Sequence, residues 1–308
     1  MSQDVKSVAI VGTGLVGRSW AVLFAVNGFN TRLYDVNPHA ADAALLDIRD
    51  MLSDMNVDSE SVLARIEATK SFDAALDGVA YVQECAPETV EIKRLVFTQL
   101  QTLAAAETIL ASSCSGIPPD LFMLEGPSPE RAIIAHPFSS PHSIPLVEVV
   151  PSTRTALKTI KTVYDFLESL GREPILVRKP VHGFGINRIQ AAVIAEAISL
   201  VRNGVLTPDD ADKCLRSGLA RRWAFIGPFE TMDLNSANGF VEYVRKFGED
   251  YHTTLADMDT QAPWEDATLS KIETEMRRRR PDAEAITLRR RWRDKALAEL
   301  DDLIDRLA

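Results

Sequence analysis

Cysteine is scarce. Cys85, Cys114 and Cys214 are the only three in 308 residues, and no two are spaced as a CxxC pair. An odd, scattered set of thiols builds neither a disulfide framework nor a thiolate metal site, and it suits a reducing cytosol. The five histidines, His39, His136, His142, His182 and His252, show no HExxH or other ligand spacing, so no metal site is expected. No apolar run approaches the ~18 residues a membrane span needs. The opening residues Met1 to Lys6 lack a basic segment leading into an apolar one, so a soluble, cytoplasmic chain is expected. Basic residues are outnumbered, 34 against 44 acids, for a net charge of −10. Such a surface repels polyanions on average, which argues against nucleic acid or an anionic membrane as partner. Internal repeats and low-complexity linkers are also missing.

What is there is an ordinary globular composition, 46% hydrophobic and 25% charged, in a chain long enough for two domains. Ser7 to Val11 (SVAIV) is a short β-branched run that leads into Gly12-Thr13-Gly14-Leu15-Val16-Gly17 and then a helical pattern through Trp20, Leu23 and Phe24. A second strand, Thr31 to Tyr34, ends in Asp35, roughly 20 residues beyond the first glycine. Strand, glycine turn, helix and an acid closing the next strand together make a dinucleotide fingerprint. Gly12 permits the tight turn, Gly14 lets the backbone approach a pyrophosphate, and Gly17 lets the helix lie close. Gly12, Gly14, Leu15, Val16 and Gly17 are therefore candidate cofactor residues. Asp35 would accept from ribose hydroxyls and repel a 2′-phosphate, which favours NAD over NADP.

Further apolar runs at 80–82, 108–111, 132–135, 146–150 and 174–177 alternate with helical stretches, notably 89–105 and 155–170. This order predicts a Rossmann-type α/β domain, a doubly wound and mostly parallel sheet, over 1–180. After Val177 the period becomes 3.6, with Gly204 at a helix end and Thr207-Pro208-Asp209-Asp210 opening the next helix. An all-helical domain over 181–308 is expected.

His136 ends an apolar strand, a loop with Pro137, Pro141 and Pro145 follows, and Glu148 stands among valines in the next strand. A buried carboxylate needs a partner, and His136 is the natural one if the loop folds the two strands side by side. His136 alone would be an ordinary core histidine. Paired with Glu148, it has one fixed nitrogen and another free to take a proton from a substrate hydroxyl.

The glycine turn, Ala111-Ser112-Ser113-Cys114-Ser115, His136-Pro137 with Ile144 to Val149, and Gly183 to Arg188 together resemble the L-3-hydroxyacyl-CoA dehydrogenase superfamily. The run Gly218 to Pro228, Glu230-Thr231-Met232 and Arg291-Trp292-Arg293-Asp294 resemble its lambda-crystallin and L-gulonate 3-dehydrogenase branch. The resemblance implies His136 as general base, Glu148 as its orienting carboxylate, and Ser115 and Asn187 as donors to the substrate oxygen. It also implies Glu88 and Lys93 near the nicotinamide ribose and a homodimer through the helical domain. By themselves, Asn187 reads as a helix cap and Ser115 as a turn hydroxyl.

Residues 41–60 depart from the acyl-CoA pattern, where a lysine-bearing helical insertion meets the nucleotide of CoA. Here Asp42, Asp47, Asp50, Asp54, Asp58 and Glu60 face one base, Arg49, a poor site for a polyphosphate. Arg222, with Arg221 as its competitor, offers a guanidinium to a free carboxylate. The expected activity is therefore NAD-dependent oxidation of a small free L-3-hydroxy acid such as L-gulonate. The alternatives are an L-3-hydroxyacyl-CoA dehydrogenase and a non-catalytic, crystallin-like NAD-binding protein. The basic segments at 277–280 and 289–293 are expected to pair with acids of a second subunit, with Trp292, Leu297, Leu300 and Leu303 forming an apolar helix face.

Overall fold

The computed structural model describes residues 7–53, 55 and 57–307; the N-terminal segment read above and Asp54 lie outside them. The chain divides into two units, Met1–Arg188 and Ile189–Ala308.

In the first unit β1 (Ser7–Val11), α1 (Leu15–Val26) and β2 (Asn30–Tyr34) form the expected βαβ start. They are followed by α2 (Pro38–Ser53), α3 (Ser59–Leu63), β3 (Ile66–Ala68), α4 (Phe72–Leu76), β4 (Tyr81–Glu84), α5 (Val90–Leu103) and β5 (Ile109–Ser112). β6 (Ala132–Pro137), β7 (Leu146–Pro151), α6 (Leu157–Ser169) and β8 (Glu173–Leu176) complete one eight-stranded sheet of order β3-β2-β1-β4-β5-β6-β7-β8. All neighbours run parallel except β6 and β7, which the proline loop joins antiparallel. Strand order reverses between β1 and β4, so their carboxyl ends border the crevice where such sheets bind ligands.

Both faces of the sheet are covered, which explains why the strands read as unbroken apolar runs. Val8 and Ile10 point into one core with Trp20, Phe24 and Phe166, while Ala9 and Val11 point into the other with Phe97 and Phe122. Trp20 stacks on Phe24 at 5.3 Å, and Tyr81 meets Phe166 at 4.9 Å. The ends of helices are secured by side chains: the Thr89 hydroxyl accepts from the Ile92 N–H at the start of α5. At the other end of that helix the buried Arg131 guanidinium donates to the carbonyls of Gln101, Ala104, Ala105 and Thr108, at 2.7 to 3.3 Å. Of these only Gln101 lies in α5, in the last turn where carbonyls lack a partner within the helix, and such a group would cost about 1–3 kcal/mol if left buried and unpaired; the Ala105 carbonyl also accepts from the Thr108 N–H at 3.0 Å.

The second unit is helical, as expected. α7 (Ile186–Arg202) leads into it, followed by α8 (Pro208–Lys213), a π-helical turn at 214–219, α9 (Ala220–Trp223), α10 (Pro228–Leu234), α11 (Phe240–Asp257), α12 (Asp266–Arg279) and α13 (Ala283–Leu307). Gly204 adopts φ +71° after α7, and the Thr207 hydroxyl caps α8 by accepting from the Asp210 N–H. Four of the arginines of 277–293 pair with acids of their own chain. Arg277 pairs with Glu273 at 2.9 Å, Arg278 with Glu275 at 2.8 Å, Arg279 with Asp209, and Arg293 with Asp294 at 2.6 Å. Most of these acids lie within one helical turn, where the i,i+3 and i,i+4 spacing brings opposite charges together. Among the described residues no helix is long and apolar enough to cross a membrane.

Candidate active site

The glycine turn stands where β1 ends. Gly12 has φ +101°, and a Cβ there would sit 2.6 Å from the Cys85 carbonyl oxygen after β4. A Cβ on Gly17 would collide with the Gly12 carbonyl, so α1 approaches the turn only because Gly17 lacks a side chain. Around Gly14, in contrast, a Cβ would meet nothing within 4 Å. Gly14 caps α1 without a side-chain hydrogen bond, and the first turn holds no acid. The free N–H groups and the open space suit a pyrophosphate. Leu15 is 65% exposed beside them, and Val16 is half-buried. The Asp35 carboxylate closes β2 and accepts from the Thr13 N–H at 2.8 Å and the Thr13 hydroxyl at 3.0 Å, which ties it to the turn. These residues fit NAD.

His136 and Glu148 face one another in the β6–β7 register, and Nδ1 lies 2.8 Å from Glu148 Oε2. Both side chains are buried. The other carboxylate oxygen, Oε1, accepts from the Gly185 N–H at 2.7 Å and the Ile186 N–H at 3.0 Å. Burial pushes the Glu148 carboxyl up, but the hydrogen bonds from His136, Ile186 and Gly185 outweigh it and hold the group below the usual carboxylate range. An ionised Glu148 accepts the Nδ1–H and leaves Nε2 with its lone pair.

Ser115, Glu88 and Asn187 form a second cluster. Glu88 accepts from the Ser115 N–H at 2.9 Å and from its hydroxyl at 2.6 Å, while the Asn187 amide donates to the Ser115 carbonyl at 2.7 Å. Burial raises the Glu88 carboxyl, but the Ser115 hydroxyl and N–H, helped by Cys114 and Lys93, bring it below its ordinary value. One short segment links the two clusters. Gly183 donates to the Gly116 carbonyl at 3.2 Å, and Phe184, at φ +48°, sets its ring edge-on to His136 at 5.8 Å. Gly185 and Ile186 then hold Glu148, and Asn187 holds Ser115. These bonds tie the segment up to Arg188 into the first unit.

Lys93 does not join either cluster. It is buried, and its ammonium lies 3.0 and 3.1 Å from the two Glu84 oxygens and 3.3 Å from the Ala86 carbonyl. Burial lowers the Lys93 amine, but the Glu84 charge and hydrogen bond, together with Cys114 and Cys85, outweigh it and hold the amine above its ordinary value. Glu84 also accepts from the Ser112 hydroxyl at 2.5 Å and the Ala86 N–H at 2.6 Å, so the pair fixes the segment leading to Glu88. Sequence reasoning passed over Glu84, although it carries the same feature that exposed Glu148, a carboxylate inside an apolar strand. Ser113 was also passed over; its hydroxyl accepts from Trp20 Nε1 at 3.0 Å and Gln83 Nε2 at 2.7 Å. Gln83 reaches the Ala135 carbonyl, next to His136, at 3.2 Å. In the acidic stretch, Asp47 is paired with Arg18 of α1.

Arg222 belongs to the second unit. It is exposed, and among the described residues its guanidinium makes no hydrogen bond or ion pair.

Family models match both parts of the chain: the 3-hydroxyacyl-CoA dehydrogenase NAD-binding domain over residues 7–180, and the C-terminal domain of the same family over 183–270. Lambda-crystallin of Oryctolagus cuniculus is 37% identical over 311 residues, covering 98% of this chain and 97% of that protein. An L-carnitine dehydrogenase of Streptomyces griseus is 34% identical over 79% of this chain and 73% of its own length. Among solved structures, a 5-formyl-3-hydroxy-2-methylpyridine 4-carboxylic acid 5-dehydrogenase described as an NAD+-dependent dismutase superposes with a TM-score of 0.82. It is 27% identical, and the match covers 96% of this chain and 99% of that one. With a dinucleotide turn, a buried histidine–carboxylate pair and both family domains in place, the chain belongs to the 3-hydroxyacyl-CoA dehydrogenase family and is an NAD-dependent oxidoreductase.

Proposed function

We propose that the protein oxidises the 3-hydroxyl of a small, free L-3-hydroxy acid, L-gulonate-like, with His136 as general base. The observation that carries this reading is the 2.8 Å His136–Glu148 pair, whose carboxylate is held on its far side by two backbone N–H groups. His136 Nε2 takes the hydroxyl proton, and Glu148 stabilises the imidazolium that results. Bound nicotinamide supplies the hydride acceptor. Ser115 and Asn187 position the reacting oxygen. Gly12, Gly14, Leu15, Val16, Gly17 and Asp35 seat the cofactor together with Glu88, and Lys93 acts on that seat through Glu84.

The acidic 41–60 stretch supports a free acid over a CoA thioester, since a polyphosphate would meet like charge there. The unpaired Arg222 guanidinium is the proposed carboxylate partner. The test is NADH formation at 340 nm with L-gulonate, L-3-hydroxybutyrate, L-carnitine, L-threonate and L-serine beside 3-hydroxybutyryl-CoA, repeated with NADP. Turnover of a free acid with NAD is expected, and Arg222→Ala should raise its KM about 10- to 100-fold, more than it lowers kcat. Turnover of the thioester alone overturns the free-acid reading. Activity with none of them overturns the small hydroxy-acid reading.

We also propose a homodimer through the helical unit, in a cytosol that keeps Cys85, Cys114 and Cys214 reduced. Trp223, Phe225, Phe229, Leu288 and Trp292 stand exposed there, apolar side chains that a second copy would remove from water. Light scattering should give twice the mass of one chain; a monomer at micromolar concentration refutes it.

A further inference from the structure

Ser19 is the one hydroxylated residue of α1, and it is wholly buried in a helix whose other buried residues are aliphatic, aromatic or glycine. A buried hydroxyl without a partner is costly, so its bonds show what the helix is built to hold. Among the described residues, both of them run to His142, 123 positions away in the proline loop between β6 and β7. Ser19 Oγ lies 2.6 Å from His142 Nδ1 and accepts the His142 backbone N–H at 3.4 Å. The helix is itself firmly seated. Trp20, the next residue, is also wholly buried, stacks on Phe24 and donates from Nε1 to the Ser113 hydroxyl.

The loop needs such a support. Ser139 takes φ +64°, in the left-handed region that a residue with a side chain keeps only where its surroundings hold it. Pro137, Pro141 and Pro145 supply no backbone N–H to brace the turn. Its own bonds run from the Phe138 N–H to the Leu146 carbonyl at 3.1 Å, and from the Ser143 and Ile144 N–H groups to the Ser140 carbonyl at 2.9 and 3.0 Å. From outside, Arg172 donates to the Pro141 carbonyl at 2.9 Å, and the Glu173 N–H to the Pro145 carbonyl at 2.9 Å. Those two anchors stand where α6 leads into β8, and Ser19 holds the loop from α1. Because this loop turns β6 back into β7, its shape governs the register in which His136 faces Glu148.

We propose that Ser19 and His142 are a positioning pair for the reaction. Through their hydrogen bond, the helix whose first turn seats the cofactor pyrophosphate also fixes the loop that holds His136 in place. The base and the cofactor are thereby referred to one rigid element, and neither Ser19 nor His142 handles the proton or the hydride. The inference rests on His136 as the base and adds the means by which that base is aimed. A displacement of about 1 Å can cost about 10²-fold in rate, so loss of the tie should appear in turnover rather than in binding.

The test uses the full chain carrying Ser19→Ala, His142→Ala, both together, or His142→Asn, with a thermal melt to check that each is folded. Hydrogen exchange over residues 138–146 reads the loop without a substrate. Steady-state rates with L-gulonate and with 3-hydroxybutyryl-CoA read the aim of His136 for either substrate class, and NADH fluorescence reads the cofactor seat. Each alanine variant should exchange faster in the loop and lose about 10-fold in kcat, with KM and NADH affinity within about twofold of wild type. The double variant should fall no further than the singles, because both break one bond. Asparagine, whose amide can meet the Ser19 hydroxyl from a similar place, should keep most of kcat. Unchanged loop exchange in folded Ser19→Ala overturns the inference, and so do single losses that multiply in the double variant. A faster loop with wild-type kcat also overturns it, and leaves His136 as the base. Full turnover in His136→Asn removes both readings, and a wild-type chain that oxidises neither compound removes the reaction to be positioned and the inference with it.

Discussion

Replacing His136 by asparagine lowers kcat about 10²- to 10⁴-fold while cofactor affinity, read by NADH fluorescence, stays near the wild-type value. Asparagine is the informative substitution because its amide places an N–H close to where imidazole Nδ1 stands, so Glu148 keeps a donor, yet it has no basic nitrogen on the far side. Alanine removes the base as well, but it leaves a buried carboxylate short of one of its three donors. It therefore mixes lost catalysis with lost stability. The two variants should fall together in kcat and differ in melting temperature, with alanine lower. NADH binding is spared because the glycine turn and Asp35 lie at the ends of β1 and β2, several strands away from β6 in the sheet. An asparagine variant within tenfold of wild-type kcat would remove His136 from the general-base role.

The pair was legible before the structure because burial and charge conflict at Glu148: a carboxylate among valines needs a donor, and the proline loop leaves few ways for the chain to turn back to one. The same conflict at Glu84 leads to Lys93, which the structure shows as an internal brace between β4 and α5 rather than an open contact residue. The difference between the two carboxylates lies in what pairs with each, and sequence alone does not carry that pairing across a helix. β3 was missed because three residues are too few for a period to show, and its place is set by pairing with β2. The segment from Gly183 to Asn187 was noticed for its family likeness and for the helix that follows. Its bonds to Glu148, Gly116 and Ser115 need the fold, because they join residues that are 37 to 72 apart in the chain. The acidic 41–60 stretch was read as unpaired charge, yet Asp47 has Arg18 of α1 beside it and Asp58 caps α3, so part of that charge is structural.

Glu148→Gln tests what the carboxylate adds beyond its shape. The two Glu148 oxygens accept from three donors, two backbone N–H groups at Oε1 and the imidazole at Oε2. Glutamine has one oxygen. If it faces Gly185 and Ile186, its NH₂ faces Nδ1, which must then accept rather than donate, and the imidazole proton moves to Nε2, the nitrogen that should take the substrate proton. The expected fall in kcat is on the order of 10²- to 10⁴-fold, with a smaller change in KM, because the wrong tautomer is held in the right place. The variant also has a signature in stability. Hydrogen bonds hold the folded-state pKa of Glu148 below its ordinary value, so the folded chain binds this proton less readily than the unfolded one. The stabilisation is complete above the ordinary carboxylate pKa of roughly 4.3 and is lost as pH falls through the lower, folded-state value. Urea unfolding from pH 7 to pH 3 should therefore show the wild type losing its advantage over Glu148→Gln as the solution becomes acidic. An advantage that holds constant over that range would mean the charge of Glu148 contributes nothing to the fold, and the tautomer argument would lose the ionised carboxylate on which it depends.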